Sequence, residues 1–339
     1  MKFDNSGLNL KFLAQFIEEN YQIGRIRSIR FIPKGEDGYC YSIKTDHNNH
    51  YFVKAQKSNE QLDFFNSLRF VSDLSCKYKK DYVVAPIQTS DQKSIVTFGN
   101  MWISLYPFIQ GTSLYETSEF TSHLEQIAKM LADFHNVIIH NDQLPKETFH
   151  NPFEKKILHL LNVTEKQDFS SNKCKSKTAS LFIKEREDIE VTLEKMKTVQ
   201  KQFSQRQFNQ TITHGDPNFS NILRGPNEKL YFIDWGEIAF APVERDLMFF
   251  LEVDGRPLDF EQFISTYLEN RTDTSLHPEI FEFYLYRWCL QEIADYGYRL
   301  LVENNGVEED EHSWKELRPY LPIPHLTIHD RIKNIVNFL

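Results

Sequence analysis

Thr213-His214-Gly215-Asp216-Pro217-Asn218-Phe219-Ser220-Asn221-Ile222-Leu223, followed by Leu230-Tyr231-Phe232-Ile233-Asp234-Trp235-Gly236, is the stretch on which the other elements depend. It holds an Asp, an Asn five residues on, and a second Asp at the end of an apolar strand. Phosphoryl transfer needs a carboxylate to orient the acceptor hydroxyl and hard oxygen ligands to hold Mg²⁺ on nucleotide phosphates. The spacing offers Asp216 for the first role and Asn221 and Asp234 for the second. His-Gly-Asp by itself is a common turn. The Asn at that offset and the strand Tyr231-Phe232-Ile233 delivering Asp234 are what set this stretch apart from a hairpin with solvated acids.

The chain has 339 residues, 40% hydrophobic and 26% charged, which is enough apolar material for two lobes with cores of their own. No apolar run approaches the roughly 18 residues of a membrane span. The first seven residues lack a basic flank leading into an apolar core, so no secretion signal is expected and the cytoplasm is the expected compartment. Cys40, Cys76, Cys174 and Cys289 are widely separated, which suits packing in a reducing compartment better than disulfides or zinc. The formal net charge is −9, and residues 211–339 carry 23 acids against 11 Lys and Arg. That half repels nucleic acid and favours a cationic acceptor.

Upstream, residues 8–21 repeat Leu10, Leu13 and Ile17 at helical spacing, and Arg25–Ile32 with Tyr39, Tyr41 and Ile43 predicts a hairpin around Gly35-Glu36-Asp37-Gly38. That loop has the composition to cover phosphates but lacks the Gly-x-Gly-x-x-Gly spacing, and a plain turn explains it as well. The strand Tyr51-Phe52-Val53-Lys54 ends in a lone Lys, and a helix through Glu60, Leu62, Phe65 and Leu68 follows. In kinases a strand Lys pairs nucleotide phosphates and a helix carboxylate holds it, which fits Lys54 with Glu60. Three further strands, 83–87, 94–97 and 101–105, complete an antiparallel sheet. A hinge is expected at 106–111, where backbone groups around Tyr106 and Phe108 would suit hydrogen bonds to an adenine edge.

Beyond the hinge the pattern is helical. Leu124, Ile127, Leu131 and Phe134 form a core helix ending at His135, which reads as a dipole-favoured terminal residue. Residues 153–208 form a helical insertion of two patterns separated by the polar link 170–175. Glu237 reads equally as a third ligand and as a surface turn residue, and Asp246 as an acid at a helix start. The last distinct helix spans about 280–301 with a second stripe of Trp288, Glu292 and Asp295. That stripe suits a cation, although Asp295 and Arg299 at i,i+4 also suit a surface pair. Glu308-Glu309-Asp310-Glu311 reads as a solvated loop.

Assembled, His214-Gly215-Asp216 with Asn221, Ile233-Asp234-Trp235 and Glu244-Arg245-Asp246-Leu247-Met248 resemble the aminoglycoside phosphotransferase and choline kinase family. Tyr286-Arg287 and Glu292–Gly297 are most similar to its spectinomycin phosphotransferase subgroup. The resemblance implies an α+β, bilobal, protein-kinase-like fold: a nucleotide-binding lobe at 1–105, the hinge, and a mostly helical catalytic and acceptor-binding lobe at 112–339. It implies Asp216 as catalytic base, Asn221 and Asp234 on Mg²⁺, and Lys54 on the phosphates of ATP or GTP. Asn218 and Ser220 depart from the His and Gly often found there, which bears on acceptor contacts. The expected activity is phosphorylation of a hydroxyl on a small cationic molecule, an aminoglycoside or an aminocyclitol such as spectinomycin. A metabolite acceptor resembling choline or homoserine, or a silent nucleotide-binding module, are the alternatives. Nucleotide and acceptor are the expected partners, with no nucleic acid or membrane, in a monomer or weak homodimer.

Overall fold

Alternation and helical stripes of the kind just described build most of the elements seen in the computed structural model, which describes residues 3–35, 38–58, 62–138, 143–271, 274–303, 306–323 and 326–339. Helix α1 (Leu10–Asn20) starts at Asn9, whose side-chain oxygen accepts the N–H groups of Lys11 and Phe12 and so satisfies orphan donors. Leu13 and Ile17, four apart and therefore on one face, are fully buried. Each contributes roughly 1.5–3 kcal/mol by leaving water. They close one face of a five-stranded antiparallel sheet in the order β1-β2-β3-β5-β4, made of β1 (Ile26–Ile32), β2 (Tyr39–Thr45), β3 (His50–Lys57), β4 (Val96–Phe98) and β5 (Met101–Pro107). Helix α2 (Leu62–Cys76) follows β3.

In β3 the pleat sends Val53 and Ala55 into this core and Lys54 to the opposite face. Cys40 of β2 and Ser104 of β5 stand directly across from Lys54. The expected strand at 83–87 is not part of the sheet. Val83 makes an isolated bridge to Phe232 and Ile87 N–H donates to Leu105 O, but Pro86 has no N–H to continue a ladder.

The chain then forms β6 (Thr112–Ser113), α3 (Leu114–Thr117) and α4 (Leu124–His135), in which His135 is buried as the last helical residue. After the insertion come β7 (Thr211–Thr213), β8 (Ile222–Arg224), β9 (Leu230–Phe232) and β10 (Ala239–Ala241). Strands β6, β8 and β9 form one small sheet, and β7 pairs with β10. Gly111 allows β6 to approach β8, because a Cβ there would lie 2.5 Å from Arg224 O.

The insertion has three helices: α5 (Glu154–Lys166), α6 (Lys173–Lys184) and α7 (Arg186–Phe203). The polar link is therefore shorter than its sequence suggests. Asn172 caps α6 by accepting from Cys174 and Lys175 N–H, and Thr178, Ala179 and Phe182 bury a stripe that the surrounding lysines disguise. Downstream lie α8 (Glu244–Leu247), the hairpin β11 (Glu252–Val253) and β12 (Arg256–Pro257), α9 (Phe260–Asn270) and α10 (Pro278–Leu301). Helix α10 is the core of its surroundings, with Gly297 so closely packed that a Cβ would sit 2.8 Å from the Phe182 ring and 2.9 Å from Leu160 Cδ1.

Two more helices follow, α11 (Val307–Leu317) and α12 (Leu326–Phe338), so α10 is not the last. The acidic run 308–311 is the first turn of α11, where acids meet the positive end of the dipole. Asp310 is buried there and accepts from Asn172 Nδ2 at 2.8 Å. The chain divides into two compact units, Met1–Pro145 with Ile212–Phe240 and Lys146–Thr211 with Ala241–Leu339. Of the cysteines, Cys40 and Cys289 are buried in packing roles, whereas Cys76 is exposed. Among the described residues no helix is long and apolar enough to cross a membrane.

Candidate active site

The Asp216 loop is built by short-range hydrogen bonds. Gly215 adopts φ +93°, a backbone turn that L side chains resist, and places Asp216 just before Pro217, whose ring fixes the next φ. His214 is fully buried: its Nδ1 accepts the Asp216 N–H at 3.2 Å and its Nε2 donates to Ile233 O at 3.0 Å. One imidazole therefore ties the start of the loop to the strand that delivers Asp234. Phe219, packed edge-on to Phe120 with 4.9 Å between ring centroids, anchors the middle of the loop.

Two amides hold the Asp216 carboxylate. Asn221 Nδ2 donates to Oδ2 at 2.8 Å and to the Asp216 main-chain oxygen at 2.9 Å, and Asn218 Nδ2 donates to Oδ1 at 2.6 Å. With its nitrogen turned to Asp216, the Asn221 amide presents its oxygen on the other side.

Asp234 lies where β9 gives way to a single 3-10 turn, at φ +63° and ψ +63°, a left-handed conformation uncommon for a residue with a Cβ. The surrounding structure enforces it. Trp235 is buried against Phe134 and His214 and its Nε1 donates to Phe232 O at 3.0 Å. Phe232 is itself clamped by Tyr82 and Val84, whose backbone groups bond it at 2.8 and 3.1 Å. Lys54 Nζ donates to both Asp234 oxygens at 2.8 Å across 180 residues of sequence. Burial would push the Asp234 carboxyl up, but the Lys54 ammonium, with a smaller contribution from His214, brings it below its ordinary value. Lys54, Asp216, Asn221 and Asp234 all belong to the same compact unit.

Glu237 is exposed at the end of the 3-10 turn after Asp234. Glu60, the expected partner of Lys54, and Glu36 and Asp37 of the hairpin tip lie outside the described residues. In the segment expected as a hinge the Phe108 N–H donates to His50 O at 3.1 Å, with the two rings stacked 3.6 Å apart. Because antiparallel pairs alternate, the Tyr106 backbone, opposite Phe52, also faces β3. The Phe108 N–H and, by alternation, the Tyr106 backbone groups therefore face β3, and by the same alternation the Pro107 carbonyl faces away from it. The Tyr106 side chain shares the face of Lys54 and Ser104, and burial raises its phenol above the usual range.

The α10 stripe is more heavily engaged than its sequence implies. Asp295 pairs with Lys156 Nζ at 2.6 Å, and that ammonium also sits 4.8 Å from the Tyr298 ring centroid. Trp288 is flanked by Phe249, Tyr320 and the Arg331 guanidinium, and Arg331 pairs with Glu252. Glu292 is half-buried on the same stripe. Sequence reasoning missed Lys156 and Arg331, which come from distant segments, and the role of the Asn218 amide, for which the Asp-Pro-Asn turn was the available signal.

A family model described as the phosphotransferase enzyme family matches residues 28–280. Protein StrN of Streptomyces griseus is 22% identical over 345 residues, covering 96% of this chain and 97% of its own length. Among solved structures, spectinomycin phosphotransferase APH(9)-Ia in complex with ADP and spectinomycin has a TM-score of 0.73 at 22% identity, covering 97% of this chain and 98% of that one. Choline kinase LicA from Streptococcus pneumoniae has a TM-score of 0.53 at 17% identity, covering 92% and 99%. The shared architecture is the α+β protein-kinase-like fold, an antiparallel N-terminal sheet followed by mostly helical structure. The matched segment holds Lys54, Asp216, Asn221 and Asp234 together, and the chain belongs to the phosphotransferase enzyme family.

Proposed function

We propose that the protein is a small-molecule kinase that moves the γ-phosphoryl group of ATP or GTP to a hydroxyl of a cationic acceptor, with an aminocyclitol such as spectinomycin the favoured class. The observation that carries this is the doubly held Asp216 carboxylate, in one compact unit with the Lys54–Asp234 pair. Asp216 orients the acceptor hydroxyl and takes its proton. The acceptor oxygen bonds to the γ-phosphorus as the bond from phosphorus to the nucleoside diphosphate oxygen breaks, and the proton then leaves Asp216 for solvent. Lys54 supplies positive charge to the phosphates, with Glu60 as its helix partner.

The donor set fits Mg²⁺, because the Asn221 amide oxygen and the Asp234 carboxylate are hard ligands and few in number. When bound, the ion would neutralise charge on the β- and γ-phosphate oxygens. The Pro107 carbonyl is assigned to the purine edge, with the Tyr106 and Phe108 side chains lining that region. Glu237 is assigned to metal or acceptor. Trp288, Glu292 and Asp295 offer the aromatic face and carboxylates that a cationic acceptor selects. The likeness to a spectinomycin phosphotransferase supports that acceptor class.

The test is Asp216→Ala, assayed with Mg-ATP and Mg-GTP against spectinomycin, aminoglycosides, choline and homoserine. The expected result is nucleotide binding without phosphorylated product. Wild-type turnover in that variant contradicts the proposal.

A further inference from the structure

Asn218 stands where the sequence departs from the pattern that the family resemblance implies, and its side chain does two things at once. Its Oδ1 accepts the Ser220 N–H at 2.8 Å, and its Nδ2 donates to Asp216 Oδ1 at 2.6 Å. The first bond fixes which end of the amide is oxygen, because a backbone N–H can only be met by an acceptor. The amide nitrogen is thereby committed to the carboxylate.

The geometry around Asp216 gives this commitment a consequence. The terminal torsion of an Asp side chain is broad, so a carboxylate held at one oxygen can still swing. Asn221 holds Oδ2 and the main-chain oxygen of Asp216. Asn218 holds the other oxygen from the opposite end of the same turn, whose middle is anchored by buried Phe219. The Asn221 main-chain N–H also donates to the Asn218 main-chain oxygen at 2.9 Å, so the two residues that carry these amides are tied into one turn.

We infer that Asn218 is a positioning residue of the transfer reaction, locking the Asp216 carboxylate in the orientation that receives the acceptor hydroxyl. This rests on the reading of Asp216 as the base. An Asn is suited to the post because one planar amide supplies both an acceptor for the turn and a donor for the carboxylate. A Ser hydroxyl, one bond shorter and with a single polar atom, caps the turn but does not also span to Asp216. An Asp caps it equally well and turns a second negative oxygen towards the first.

Those two substitutions separate positioning from capping. Asn218→Ser and Asn218→Asp are compared with Asn218→Ala and wild type for melting temperature, affinity for a fluorescent ADP analogue, and kcat and KM with Mg-ATP and spectinomycin as the probe acceptor. If spectinomycin gives no product, ADP release with water as acceptor supplies the rates. Positioning predicts that Asn218→Ser keeps wild-type melting temperature and nucleotide affinity, while Asn218→Asp, with two negative oxygens set against each other, lowers the melting temperature. It also predicts that kcat falls about tenfold in Ser and further in Asp, with KM for the acceptor little changed. Wild-type kcat in Asn218→Ser overturns the inference. So does a loss confined to Asn218→Ala with a lowered melting temperature, which would make the residue a cap alone. Asp216→Asn run alongside keeps the two readings apart. Turnover retained there removes the base itself, whereas a dead Asp216→Asn beside a fully active Asn218→Ser removes only this inference.

Discussion

The loop at Asp216 and the stripe on α10 both gather acids beside an aromatic residue, yet they are held in opposite ways. Asp216 is fixed by Asn218 and Asn221, two and five residues away, and by the His214 bridge to the strand carrying Asp234. The partners of the α10 stripe come from afar: Lys156 is 139 residues from Asp295, and Arg331, from the C-terminal helix, sits over Trp288. A site made by local hydrogen bonds keeps its oxygens directed at a ligand. A stripe whose Asp295 already meets the chain's own Lys156 is partly neutralised before any ligand arrives. That difference fits the proposed chemistry at the first region and a structural contribution from the second.

Breaking the first region should have the largest effect. Asp234→Asn removes the charge that holds Lys54 and one of the hard oxygens, and turnover should fall roughly 10²–10³-fold while the melting temperature moves little. Steady-state rates beside thermal unfolding check it, and a rate within tenfold of wild type would place the chemistry elsewhere.

Breaking the second region should show up in folding. Arg331 and Glu252 are 12% and 10% exposed, so Arg331→Leu leaves Glu252 buried without that partner. Losing one member of a buried pair costs about 3–5 kcal/mol, which urea unfolding would detect. No loss of stability would mean that the pair carries little of the packing of α12.

Glu244 offers a subtler contrast within the same unit. It is 2% exposed, and burial first, helped by Glu279 and opposed by hydrogen bonds from its own N–H and that of His277, raises its carboxyl to about 7. His277 N–H meets Oε1 at 2.8 Å, while Arg271, Tyr267 and Asp246 are the other titratable groups nearby. An acid raised in the folded state binds its proton more tightly there than in the unfolded chain. Stability should therefore fall as pH rises from about 4.5 to about 7, by on the order of 3 kcal/mol for this group. Glu244→Gln should flatten that part of the unfolding-versus-pH curve; an unchanged slope would assign it to other groups.

The smallest effect belongs to Lys156 and Asp295, both about a third exposed. A double-mutant cycle with Lys156→Gln and Asp295→Asn should give a coupling of under about 1 kcal/mol in stability. If Asp295 also serves the acceptor, Asp295→Asn should raise the acceptor KM and Lys156→Gln should lower it. Unchanged KM values in both would leave Asp295 a surface pair.

These contrasts follow what the sequence could convey. Lys54 was legible because a lone cation interrupts an apolar strand, and Asp216, Asn221 and Asp234 because loop chemistry is written in fixed short offsets. The start of α6 was hidden by lysines whose stems cover a small buried stripe, and α11 by acids that look solvated but lie on a helix dipole. The strand expected at 83–87 failed because apolar content says nothing of a ladder that Pro86 interrupts. The segment 106–111 was expected as a hinge from its place in the chain alone, but which of its backbone groups face away from β3 depends on the β3–β5 register, which no local pattern specifies.

The most direct measurement is a crystal structure with Mg²⁺ and a non-hydrolysable ATP analogue. The account predicts a cation within about 2.0–2.1 Å of the Asn221 amide oxygen and an Asp234 carboxylate oxygen, Lys54 Nζ on a phosphate, and the terminal phosphate facing Asp216. A nucleotide bound away from Asp216, or a cation held by other residues, would contradict it.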